Sequence, residues 1–234
     1  MSPEAEVIPT PRHHPPDEAL VAYATGSSAD ADALAYACHV SLCADCSRRL
    51  AGLEAVGGAL LDAGPVEPVP SDALDRALAA LETPAAGDGE EPALPPGVPL
   101  FLAPYRLPGP LARALAALPR APGWRYAAPG VRMIDLRARP AAAGATRVRL
   151  VAFKPGVTIP PHDHGGTEHI VVFTGAIEEG AQRFGRGDLA TRERGERHEQ
   201  RIAAGEPCIA LVVNEGPLVP LTLRGRLLLA FARD

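Results

Sequence analysis

The sequence predicts a two-domain α + β protein: a small all-α, metal-binding helical bundle followed by an all-β barrel. Three observations predict it. Between residues 17 and 81, apolar side chains recur at the three- and four-residue spacing of amphipathic helices. From residue 131 onward the apolar segments are short, rich in Val, Ile and Phe, and bounded by Gly or Pro, which is the pattern of strands. Each half also carries its own cluster of metal-ligand residue types, His39, Cys43 and Cys46 in the first and His162, His164, Glu168 and His198 in the second.

Residues 1–15 form an irregular arm containing His13 and His14. Pro16-Asp17 opens a first helix that runs to Thr25 and is stopped by Gly26. Ser28 or Asp30 caps a second helix reaching Val40, on which Leu34, Cys38 and Leu42 form one apolar stripe. A third spans Cys43 to Asp62, with Leu50, Leu53, Val56, Leu60 and Leu61 expected to face inward. Gly64-Pro65 through Pro70 breaks it, and a fourth, amphipathic helix begins at Ser71 and ends near Leu81. These residues, 1–84, make the first domain. Residues 85–97, rich in Pro, Gly, Ala and Glu without periodicity, read as a linker. The second domain, 98–234, opens with a short helix over Pro110–Leu118. Its strands are expected at Val131–Leu136, Arg147–Phe153, His169–Phe173, Cys208–Val213 and Leu227–Phe231.

Of 28 acidic and 23 basic residues, 16 acids and only 4 bases fall within residues 1–97. So acidic a first domain excludes direct nucleic-acid binding, which needs a basic footprint, and suits a basic partner protein. The arm lacks the apolar core of a signal peptide, and no run approaches the ~20 apolar residues of a membrane span. A soluble cytoplasmic protein is therefore expected. In that compartment a Cys-x2-Cys pair binds metal or does redox chemistry rather than stapling a fold.

On a helix, positions i, i+4 and i+7 share a face, so His39, Cys43 and Cys46 converge. Three ligands leave a tetrahedral site one short, and either His13 or His14 is available from the arm. Thiolate and imidazole together favour zinc. Cys38 lies on the apolar stripe, and Cys208 in an expected strand; both read as core thiols.

Gly156-x5-His162-x-His164-x3-Glu168-x6-Gly175 matches the first cupin motif in full, so the barrel is expected to be a cupin (jelly-roll) barrel. The second motif, Gly187-x7-Gly195-x2-His198, carries Glu193 where cupins have proline, which predicts a looser turn before His198. His162 and His164 alternate onto one face of a strand. Three imidazoles and one carboxylate suit zinc, iron, manganese or nickel rather than calcium. His169, next to Glu168, points away from the site. No general base or nucleophile beyond the ligands stands out; Asp163 and Glu178 or Glu179 are candidates by proximity in sequence alone, and such acids are more often solvated.

His14, 24 intervening residues, then His39-x3-Cys43-x2-Cys46 resembles the zinc anti-sigma domain of bacterial regulators. The wider string Ala37-Cys38-His39-Val40-Ser41-Leu42-Cys43-Ala44-Asp45-Cys46, with a cupin motif downstream, resembles the ChrR type of zinc anti-sigma factor in particular. The resemblance implies zinc held by His14, His39, Cys43 and Cys46, and zinc in the cupin site as well. It implies an extracytoplasmic-function-type sigma factor as partner, gripped through residues 1–84, and release on singlet oxygen or peroxide-like oxidants. It implies no catalysis. The competing expectation, from the intact cupin ligands alone, is a metal-dependent dioxygenase with an accessory helical domain.

Overall fold

The computed structural model describes residues 10–66, 68–82, 107–119, 123–136, 146–223 and 225–226. The expected linker at 85–97 and the expected strand Leu227–Phe231 lie outside the described residues. Among the described residues five helices precede eleven strands, the order the sequence predicts.

Helix α1 (Asp17–Ala24) starts where Pro16 O accepts the Ala19 and Leu20 amides, with Asp17 and Glu18 in its first turn facing the positive end of the helix dipole. Helix α2 (Asp30–Val40) is preceded by Ala29, so neither Ser28 nor Asp30 supplies the expected side-chain cap. Helix α3 (Ala44–Asp62) is capped by Cys43, whose sulfur accepts the Cys46 amide at 3.5 Å. Leu20, Cys43 and Cys46 are buried together where these three helices meet, with Val40 and Leu53 packed against them.

Here the structure corrects the sequence. Val56, Leu60 and Leu61, expected inside, are 59%, 70% and 80% exposed. The reason is length: α1 and α2 have 8 and 11 residues, and they flank only the first turns of the 19-residue α3. Helix α4 (Ala73–Glu82) likewise leaves Leu74, Leu78 and Leu81 exposed. The buried bundle thus has three helices rather than four.

Strands β1 (Arg125–Ala128), β2 (Val131–Asp135), β3 (Arg147–Phe153), β5 (Glu168–Thr174), β8 (Leu189–Arg192) and β10 (Cys208–Asn214) form one sheet, in the order β1-β2-β3-β10-β5-β8. The second sheet runs β11 (Leu218–Pro220), β4 (Thr158–His164), β9 (His198–Ile202), β6 (Ile177–Glu179) and β7 (Gln182–Phe184). All pairings are antiparallel. The two inner faces close on a core that includes Val151, Ile170, Val172, Ile177, Phe184, Ile202 and Ala210.

The outer face of the six-stranded sheet is covered too. Ala31, Ala35, Tyr36 and Cys38 of α2, with Leu111 and Leu115 of α5 (Gly109–Ala116), pack on Leu150, Val171, Phe173, Ile209 and Leu211. This explains why β5 is buried at every position and shows no alternation in sequence. The stripe on α2 faces the sheet, so the helical region and the barrel share a core.

Candidate metal centres

Among the described residues two clusters of metal-ligand side chains form, each with its ligand atoms within 4.8 Å of one another. The first joins His14, His39, Cys43 and Cys46. The last turn of α2 brings His39, the α3 cap brings Cys43, and the first turn of α3 brings Cys46. His39 Nε2 lies 3.3 Å from Cys46 Sγ, and His14 Nδ1 lies 3.4 Å from both sulfurs. A tetrahedron with arms of about 2.0–2.3 Å has edges near 3.5 Å, so the spacing fits zinc-type S2N2 coordination. Burial, and then the neighbouring Cys43, pushes the Cys46 thiol up to about 12, so two thiolates side by side need a bound cation to coexist. Burial holds His39 down at about 4, keeping its imidazole neutral and able to ligate.

Of the two arm histidines left open by spacing, His14 is the one in the cluster. His13 turns the other way: its ring lies on Phe184 with centroids 4.3 Å apart, and its Nδ1 is 3.4 Å from Asp188.

The second cluster joins His162, His164, Glu168 and His198. Strand β4 presents His162 and His164 two residues apart, β9 pairs His198 directly opposite His162, and Glu168 opens β5 on the facing sheet. The short loop between His164 and Glu168 needs glycine, since a Cβ on Gly166 would run into the Glu215 carbonyl. The Nε2 atoms of His164 and His162 are each 2.9 Å from that of His198. One imidazole nitrogen carries at most one proton, so three such nitrogens cannot all satisfy one another; a shared cation does so. Glu168 Oε2 is buried without a hydrogen bond and faces His198 Nε2 at 3.8 Å, while Asn214 Nδ2 donates to its other oxygen at 2.5 Å. Burial raises the Glu168 carboxyl and lowers His162 and His164 to about 4. The donor set fits a divalent transition metal.

The turn before His198 is not loose. Glu196 Oε2 accepts the Glu193 amide at 2.8 Å, and the Glu196 amide returns to Glu193 O at 3.1 Å, so a carboxylate does what proline does elsewhere. Of the acidic residues near the motif, Glu179 is the one that joins the site. It lies 3.0 Å from His198 Nδ1 and takes two hydrogen bonds from Arg192, and although burial opposes it these partners lower its carboxyl to about 2. Asp163 caps its own strand by accepting the His164 amide, and Glu178 pairs with Arg183 at the surface. His169 does point away from Glu168: it meets Thr191 and, across the sheet, Tyr36 and Asp32 of α2. Cys38 and Cys208 are fully buried, their thiols pushed up to about 12 by burial, as core residues. No described helix is long and apolar enough to cross a membrane.

Similarity to known proteins follows the same division. The ChrR Cupin-like domain family matches residues 113–219. Anti-sigma-E factor ChrR of Cereibacter sphaeroides is 32% identical over 209 residues, covering 89% of this chain and 92% of that protein. The structure of Rhodobacter sphaeroides SigE in complex with the anti-sigma ChrR matches with a TM-score of 0.68 at 30% identity, over 88% of this chain and 99% of that one. An RmlC-like cupin protein from Ralstonia eutropha matches over 44% of this chain and 69% of its own, with a TM-score of 0.40 at 20% identity.

Proposed function

The chain belongs to the ChrR family of anti-sigma factors, and from that premise we propose that it binds an extracytoplasmic-function-type sigma factor, withholds it from RNA polymerase, and releases it on an oxidative signal. The observation that carries the reading is an apolar surface left uncovered among the described residues. Val56, Leu60 and Leu61 at the end of α3 and Leu74, Leu78 and Leu81 on α4 are all exposed. Exposed apolar residues spaced in this way, three and four apart along a helix, are the pattern of anchors on a binding face. The acidic character of residues 1–97 supports a basic partner, and the related ChrR was solved with its sigma factor, SigE.

Residues 1–84 are the gripping unit, 85–97 the linker and 98–234 the sensory unit, acting in the cytoplasm. His14, His39, Cys43 and Cys46 hold zinc, which fixes the arm and α2 to the start of α3. His162, His164, Glu168 and His198 hold zinc or another divalent transition metal. A metal held there would supply the Lewis-acid or redox chemistry to which a small oxidant such as singlet oxygen or a peroxide responds. Buried His162, His164 and His198 and the Asn214-bound Glu168 would hold the metal. Release requires two arrangements of the chain that differ in affinity for the sigma factor.

Binding is tested with the full chain carrying Leu74→Asp and Leu78→Asp. Affinity for the sigma factor falls at least tenfold with metal content unchanged; equal affinity overturns the assigned surface. The intact cupin cluster favours one second reading, a dioxygenase, which predicts substrate-dependent oxygen uptake that His164→Ala abolishes.

A further inference from the structure

The N-terminal cluster is not built by the helical region alone. His39 Nδ1 lies 2.7 Å from Gly187 O, in the turn that leads into β8. A carbonyl only accepts, so Nδ1 carries the proton and the lone pair is left on Nε2, the atom facing Cys46. The next residue, Asp188, is buried at 4% exposure, and its Oδ1 accepts the backbone N–H groups of Arg12 at 2.6 Å and His13 at 2.9 Å. The Leu189 amide then donates to His13 O at 3.1 Å. The arm is thereby zipped to β8, an edge of the six-stranded sheet, immediately before His14 enters the cluster.

The turn is rigid enough to act as a template. Gly187 N–H donates to Val172 O at 2.7 Å, and the Gly185 amide donates to Asp188 Oδ2 at 2.7 Å. Gly187 has φ +85°, and a Cβ there would sit 2.6 Å from Pro11 Cγ. Only glycine lets the arm and Leu42, just past α2, press this close.

We propose that the Gly187–Asp188 turn of the cupin domain is the outer shell of the N-terminal metal site, positioning two of its four ligands, His39 through the Gly187 carbonyl and His14 through the Asp188 carboxylate. This rests on the metal role proposed above for that cluster. By linkage, docking of the barrel tightens metal binding, and metal binding tightens docking by the same factor. A change in the barrel then has a direct route to the pin that holds the helices.

The test uses the full chain loaded with Co2+. Thiolate-to-cobalt absorption reports on this cluster alone, because the cupin cluster contains no sulfur. Loss of the band on adding EDTA is about tenfold faster in Asp188→Asn than in the parent, the size expected for an outer-shell partner; equal rates overturn the proposal. A parent without the band overturns the metal reading itself, and the proposal with it. Should Asp188→Asn not fold, hydrogen exchange decides. In Cys43→Ser/Cys46→Ser the amides of residues 187–192 exchange about tenfold faster than in the parent while those of 198–202 do not change; unchanged protection at 187–192 overturns the proposal.

Discussion

At the scale of the residue, three buried imidazoles set the behaviour of the metal-free protein. Burial lowers His39, His162 and His164 to about 4, below their ordinary value of 6.5. The unfolded chain therefore binds more protons than the folded one between those values, and stability is lost as pH falls through that window. Burial lowers His169 as well, while Glu168 and Asp32, raised by burial, act in the opposite direction, two groups against four. The chelated protein thus has a lower urea midpoint at pH 5 than at pH 7; an unchanged midpoint would mean that the imidazoles stay solvated. Most of the ligands were legible in sequence because ligand chemistry demands fixed spacing: i, i+4, i+7 on a helical path and i, i+2 on a strand. His14 was separable from His13 only by resemblance, since neighbours in an irregular arm have no period to distinguish them. Glu179 was a candidate by proximity alone, and Asp188 and Asn214 were invisible, because each reaches its partner through strand pairing or a turn, not through a short sequence interval.

The elements show where local pattern stops being informative. Helices α1 to α4 and the short α5 stand close to their expected places, as do β2, β3, β5 and β10, because period and glycine or proline boundaries specify them locally. Which face each buries is a separate matter. The apolar residues of α3 past Val56 have the pattern of a buried stripe, yet the shorter α1 and α2 leave them exposed. A binding face and a core face carry the same residue types, so period alone does not tell them apart. The double variant Leu60→Ser/Leu61→Ser therefore leaves the unfolding midpoint of the free protein nearly unchanged, within about 0.5 kcal/mol per site. A loss of several kcal/mol would place those leucines in a core instead.

For the whole molecule, α2, α5 and the six-stranded sheet share one core. Leu115, fully buried on α5, packs in that core, and so does Trp124, the single tryptophan. Leu115→Ala costs about 2–5 kcal/mol, lowering together the midpoints read by helical circular dichroism and by tryptophan fluorescence. Two separated transitions would contradict a common core. The same contact places the barrel within hydrogen-bonding reach of both His39 and the arm, so the two halves are linked without a long-range messenger.

The claim everything depends on is that a metal-pinned set of helices holds a sigma factor away from polymerase. Its most direct test is run-off transcription from a promoter read by the partner sigma factor, with core polymerase and added full-length chain. The parent silences the promoter at stoichiometric amounts, and Cys43→Ser/Cys46→Ser, which leaves the cupin ligands intact, restores transcription. Equal silencing by the parent and by this variant would contradict the account.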